Sequence, residues 1–305
     1  MEKMRLGNSG LEVSNISLGC MNMGKESVEK TEKIVRQALE LGVDFFDHAD
    51  IYAGGQSEET FAKAIDMKSS IRENVYLQTK VGIRKGFYDF SKEHILKSVE
   101  DSLHRLHTDY VDVLLLHRPD TLVEPEEVAE AFDQLYTSGK VRHFGVSNHH
   151  PRQIELLKKN VDQELIINQL QFSVMHTGMI NRGLQVNTRS GSGLDRDGGV
   201  LEYSRLHDMT IQAWSPFRYG MFEGFYIDNE EFPELNEKLQ EIGEKYGVNK
   251  SAAAIAWILR HPAGIQPVVG TMTPERLKKI VAASELKITR QEWYEIYRAA
   301  GNELP

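Results

Sequence analysis

The chain has 305 residues, 40% apolar and 27% charged, with a net charge of −9. A core of useful size fits one domain spanning 1–305, and an acidic chain without a block of Lys or Arg is not expected to bind nucleic acid or an anionic membrane surface. Cys20 is the only cysteine, which excludes an intrachain disulfide; with no apolar leader and no run near ~18 apolar residues, a cytoplasmic protein is expected.

In chain order, the segment 4–13, with Asn8-Ser9-Gly10 between apolar positions, predicts a β-hairpin closing one end of the fold. Short β-branched or aliphatic runs then recur at 16–19, 43–46, 75–79, 111–116, 141–146, 165–170, 210–214 and 265–269. Amphipathic helical segments lie between most of them. Ser91 caps 92–105, with Ile95, Leu96, Val99 and Leu103 at helical spacing. Pro125 opens 126–137 and Gly139 closes it; Pro262 follows 251–261, and Pro274 opens 275–282. The stretch 175–199 reads as a long loop, and 288–300 as an added C-terminal helix.

Eight strand–helix alternations with near-continuous apolar strands predict a parallel sheet covered by helices. The number favours a closed (β/α)8 TIM barrel, and no GxGxxG follows the first strand to suggest an open doubly wound sheet.

Barrel chemistry gathers where strands end. Asp47 ends the second strand and Tyr52 follows it, Lys80 ends the third, and His117 ends the fourth. Ser147 and Asn148 end the fifth, Gln169 the sixth, and Trp214-Ser215-Pro216 the seventh. An ordinary Tyr pKa of about 10 is high for proton exchange near neutrality. A neighbouring Lys⁺ favours the phenolate, an Asp⁻ keeps that Lys charged in a buried place, and a His orients a carbonyl oxygen. Any one of these alone is an ordinary polar strand end; together they describe a general acid beside an oxygen site, suited to carbonyl reduction.

The segments Phe45-Phe46-Asp47-His48-Ala49-Asp50-Ile51-Tyr52, Gln78-Thr79-Lys80, Leu114-Leu115-Leu116-His117-Arg118-Pro119, Gly145-Val146-Ser147-Asn148 and Asn168-Gln169 resemble those of the aldo-keto reductases. The opening Leu6-Gly7-Asn8-Ser9-Gly10-Leu11 and the 270–276 segment do so too, all in the family's order. The likeness is strongest to bacterial oxidoreductases with DHADIY and HRPD sequences. It implies reduction of a small carbonyl compound by NADPH, with Tyr52 as proton donor, Asp47 and Lys80 adjusting it, and His117 orienting the carbonyl. It further implies that Ser147, Asn148 and Gln169 hold the nicotinamide carboxamide, that Trp214 stacks under the ring, and that Met21 borders it. Ser215, Phe217 and Arg218 would line the pyrophosphate. Gly270, Thr271, Thr273 and Arg276 would take the 2′-phosphate, Arg276 supplying charge and a fork of donors. Gly270 stands where many relatives have Lys, so one cationic contact is missing; Lys278 and Lys279 are the nearest substitutes in sequence.

Other readings carry different tests. A cofactor-binding regulatory or accessory protein would show little turnover on aldehydes. An aldolase would form a Schiff base on Lys80, which a neighbouring Asp47 disfavours by holding the amine protonated. The near P-loop 19–26 has Glu26 in place of the Ser or Thr that a phosphate-bound Mg²⁺ needs. No His or Cys spacing resembles a metal site, so none is expected. Arg72, Arg84 and Lys85 read as solvated charges.

Overall fold

A computed structural model of the chain describes residues 1–67, 69–221 and 223–305. Among them, strands Ser17–Gly19, Phe45–Asp47, Tyr76–Val81, Val111–Leu116, Val141–Ser147, Leu165–Gln171, Thr210–Trp214 and Gln266–Val269 form a closed parallel barrel in chain order. The last strand closes on the first through Val268↔Ser17 and Val269↔Leu18. All eight lie within two residues of the expected runs, because a strand buried on both faces is a continuous apolar run that turn residues delimit.

The expected helices surround the barrel, among them Lys92–Leu106, Pro125–Thr137, Lys250–Leu259 and Pro274–Val281. Ser91 accepts a hydrogen bond from the His94 amide, as an N-cap does. Their apolar stripes and the outward strand residues form one core, including Ile34, Val99, Phe132 and Trp257. A second, smaller core fills the barrel near its N-terminal end, with Phe45, Val113, Leu115, Ile166 and Ile167. Leu6 and Val13 of the opening hairpin, Lys3–Arg5 paired with Glu12–Ser14, complete it. The Gly7 amide donates to Thr210 Oγ1 at 2.8 Å. A Cβ on Gly7, whose φ is +52°, would stand 2.7 Å from the Ile166 carbonyl oxygen. The hairpin therefore plugs the N-terminal end, leaving the strands' C-terminal ends to carry the chemistry.

The helix Arg290–Ala299 begins with a capping box of Thr289 and Glu292. Its Trp293 stacks on Trp257 at 4.7 Å, each indole N–H donating to the other's backbone carbonyl.

Three expectations need correction. The 175–199 stretch is not one long loop: Gly178–Leu184 is helical. Buried Met179 and Ile180 dock it, while Asn302 Oδ1 accepts from Thr177 and Asn181 side chains. Arg72 is not solvated. Only 6% exposed, it bonds Asp112 at 2.7 Å, the Val75 and Tyr110 carbonyls, and Thr108. Lys80 sits inside its strand, which runs on to Val81, and a small hairpin unread in the sequence, Ile83–Arg84 with Phe87–Tyr88, follows it. No described helix is long and apolar enough to cross a membrane.

Candidate active site

Register brings the expected polar residues to one rim. Asp47 lies opposite both Gly19 and Gln78, and Lys80 opposite Leu115. Strand periodicity turns Gln78 and Lys80 to the same face. Lys80 is fully buried, and its three ammonium hydrogens have three acceptors: Asp47 Oδ1 at 2.7 Å, the His48 carbonyl at 2.8 Å and the Tyr52 hydroxyl at 3.1 Å. Burial is the largest influence on the amine and pulls its pKa down. Asp47 and Tyr52 outweigh it, so the pKa stands above the ordinary value. An amine saturated and charged in this way is no Schiff-base nucleophile.

Asp47 is braced from inside the barrel. Gln169 Nε2 donates to its Oδ1 at 3.0 Å, Gln78 Nε2 donates to the same oxygen, and both amides also donate to Gln212 Oε1. Gln212 passes the chain on to Gln266. The sequence offers Gln78 only as part of the Gln78-Thr79-Lys80 segment, with no role, and Gln212 and Gln266 not at all. Their signal was a Gln inside a barrel strand, which the close barrel interior converts into a bonded row.

Tyr52 stands on a 3₁₀ turn, Tyr52–Gly55, where Ala53, Gly54 and Gly55 all have positive φ. The turn is held from below. Arg105 lies against Gly55, where a Cβ would meet its Cδ at 2.8 Å, and donates to Glu58 at 2.7 Å. Glu58 in turn accepts from Thr79, the neighbour of Lys80, at 2.7 Å. Sequence reading also missed this link, since its members lie on three different elements.

The Tyr52 ring meets His117 edge to face, with centroids 6.0 Å apart. The Tyr52 hydroxyl accepts from Lys80, and its own proton has no acceptor among the described residues. Burial raises the phenol's pKa; Lys80 lowers it, as expected, but not enough to reverse the shift. Tyr52 is therefore held as a neutral phenol. His117 is pushed well below the usual imidazole range by burial, then by the charges of Lys80 and Arg118, and its Nδ1 is buried without a partner among the described residues. The rim thus presents a neutral phenol and a neutral imidazole, both with unused hydrogen-bonding capacity.

Asn148, in a left-handed conformation at φ +60°, bonds Ser147 Oγ at 2.7 Å and accepts from the Trp214 indole at 3.1 Å. Ser147 also donates to the Gln169 carbonyl. These residues hold one another and fix a half-exposed Trp214 beside the rim. Met21 is 50% exposed at the same end. Ser215 has φ +52°, Phe217 packs on the core, and Arg218 donates to the Glu223 carbonyl and lies over Phe225. After the eighth strand, Gly270 is open, with nothing within 4 Å of where its Cβ would be. Thr271 Oγ1 accepts from the Thr273 amide. Arg276, in the first turn of the helix Pro274–Val281, is exposed and without an ion-pair partner among the described residues. Lys278 and Lys279 occupy that helix's last turn. No described cluster of His, Cys, Asp or Glu could hold a metal ion.

The sequence profile of the Aldo/keto reductase family matches residues 15–300. The chain is 34% identical to the oxidoreductase YdhF of Escherichia coli (strain K12), over 100% of each chain. It is also 34% identical, again over 100% of each, to a 6-dehydroglucose reductase of Agrobacterium fabrum. The holo form of an aldo-keto reductase from Bacillus halodurans superposes with a TM-score of 0.75 at 26% identity, covering 100% of this chain and 98% of that one.

Proposed function

The chain belongs to the aldo/keto reductase family of NAD(P)H-dependent oxidoreductases, and from that premise we propose that it reduces an aldehyde or ketone with NADPH, Tyr52 donating the proton. The supporting observation is the Lys80 ammonium bonded at once to Asp47 and to the Tyr52 hydroxyl, with the phenol's proton unclaimed.

On this reading the carbonyl oxygen lies between Tyr52 and His117, and the neutral imidazole donates a hydrogen bond to it. As negative charge develops on that oxygen, Tyr52 gives up its proton, and the Lys80 charge stabilises the phenolate left behind. Asp47 keeps Lys80 charged. NADPH, when bound, supplies the hydride.

The donor set fits such a cofactor. The Asn148 and Gln169 side-chain amides match a carboxamide, Trp214 offers an aromatic face, and Gly270, Thr271, Thr273 and Arg276 offer open space and one cation without an ion-pair partner among the described residues. Met21, Ser147, Ser215, Phe217 and Arg218 complete the proposed lining. A single domain over 1–305, in a reducing cytoplasm where Cys20 stays a thiol, is part of the same reading. Since a relative bears the name 6-dehydroglucose reductase, a dehydro sugar is among the first carbonyl compounds to assay.

Tyr52→Phe tests the proposal, since it deletes only the transferable proton. Turnover of an aldehyde with NADPH is expected to fall by about 10²–10⁴-fold while the cofactor still binds. Retention of more than about a third of kcat would remove Tyr52 from that role.

A further inference from the structure

Arg118 follows His117 directly after the fourth strand, at the reacting end of the site. Its guanidinium lies 5.7 Å from the centroid of the Trp214 ring. The side chain is only partly exposed, and burial depresses its pKa, with the phenols of Tyr88 and Tyr52 opposing that shift. No carboxylate, carbonyl or hydroxyl among the described residues bonds it. That is unusual in a chain with 45 acidic and 36 basic residues. By contrast, Arg72 and Arg105 are each bonded to a buried carboxylate at 2.7 Å. A partly desolvated guanidinium with no protein partner among the described residues keeps its fork of donors available to an oxyanion. The expected phosphate contacts of the cofactor lie instead after the seventh and eighth strands.

Resting on the reductase reading above, we infer that Arg118 receives an anionic group, carboxylate or phosphate, carried by the carbonyl substrate. The anion would sit between Trp214 and Tyr88 while its carbonyl meets Tyr52 and His117. Substrates bearing an anion near the carbonyl are then preferred over neutral ones.

The test uses aldehyde pairs differing in charge: succinic semialdehyde against its methyl ester, and glyceraldehyde 3-phosphate against glyceraldehyde. In the wild type the charged member of one pair is expected to lead by about tenfold or more in kcat/KM, mainly through KM. Which pair responds separates carboxylate from phosphate. The ratio is expected to collapse toward one in Arg118→Met and to be partly kept in Arg118→Lys. A wild-type ratio near one, a ratio unchanged by Arg118→Met, or a loss appearing in the KM for NADPH instead would each overturn the inference. A binding readout stands apart from turnover: succinate or inorganic phosphate should perturb Trp214 fluorescence in the wild type but not in Arg118→Met. If that response is present while no aldehyde is reduced, the anion site stands and the reductase reading fails. If aldehydes are reduced without charge preference and neither anion is sensed, the reverse holds.

Discussion

Among the described residues, one carboxylate–cation pair with both partners buried lies at each end of this barrel, and both have a shortest contact of 2.7 Å. At the N-terminal end, Arg72 and Asp112 form a closed set. Arg72 donates to four acceptors, Asp112 also accepts from the Leu77 amide, and the Tyr110 ring lies between Arg72 and Arg142 at 3.7 Å from each. At the C-terminal end, Lys80 and Asp47 are equally buried, but their network stops at Tyr52, whose proton has nowhere to go within the described residues. Equal burial and distance thus serve two ends. A pair whose neighbours are all satisfied only holds structure, whereas a pair that leaves one donor open holds that donor ready for a ligand.

Variants at the two ends should separate these uses. Lys80→Met has the largest expected effect. It leaves Asp47 buried without its cation, costing about 3–5 kcal/mol in stability, and removes the charge that stabilises the phenolate, so kcat should fall by about 10²-fold or more. Adding Asp47→Asn should restore much of the stability and none of the turnover. Recovery of kcat in the double variant would mean the pair is structural, like its counterpart. Arg72→Met should also cost about 3–5 kcal/mol in denaturant unfolding, with kcat and KM of the folded fraction unchanged; altered kinetics would show that the two ends communicate.

A smaller effect is expected at Arg276. Losing its contact to the 2′-phosphate should weaken NADPH binding about tenfold and leave NADH nearly unaffected. Fluorescence titration of both cofactors reads this, and equal weakening of both would assign Arg276 elsewhere. The smallest effect concerns Asp50, beside the Tyr52 turn, where burial and then Glu58 raise the carboxyl to about 7. A folded-state pKa above the unfolded one adds stability that is fully present below about 4 and is lost as pH rises through about 7. Asp50→Asn should therefore flatten the fall in Tm between about pH 4 and about pH 7. A slope unchanged by the substitution would exclude Asp50 as its source.

The strand-end residues were legible because the barrel's geometry converts position along a strand into position in space. Once eight apolar runs are placed, Asp47, Lys80, His117, Asn148 and Trp214 must share a rim. The glutamine row was not legible, since nothing local distinguishes Gln78 or Gln212 from a polar residue facing solvent. Arg72 was misread for the same reason: its acceptors come from Val75, Thr108, Tyr110 and Asp112, and most are distant in sequence. The net shift of Tyr52 also lay outside local reach, because the Lys80 charge acts in the expected direction while burial prevails.

What the sequence by itself determined is the order of strands and helices and the identity of the groups at the open rim, because apolar periodicity, caps and turn residues act over a few positions of chain. The tertiary structure alone decided which charges are sealed and which are left open. Desolvation and hydrogen-bond completion depend on every element packed around a group. Arg72 and Arg118 are the same residue type, each flanking a barrel strand, yet packing closed a full set of acceptors around the first and, among the described residues, brought none to the second.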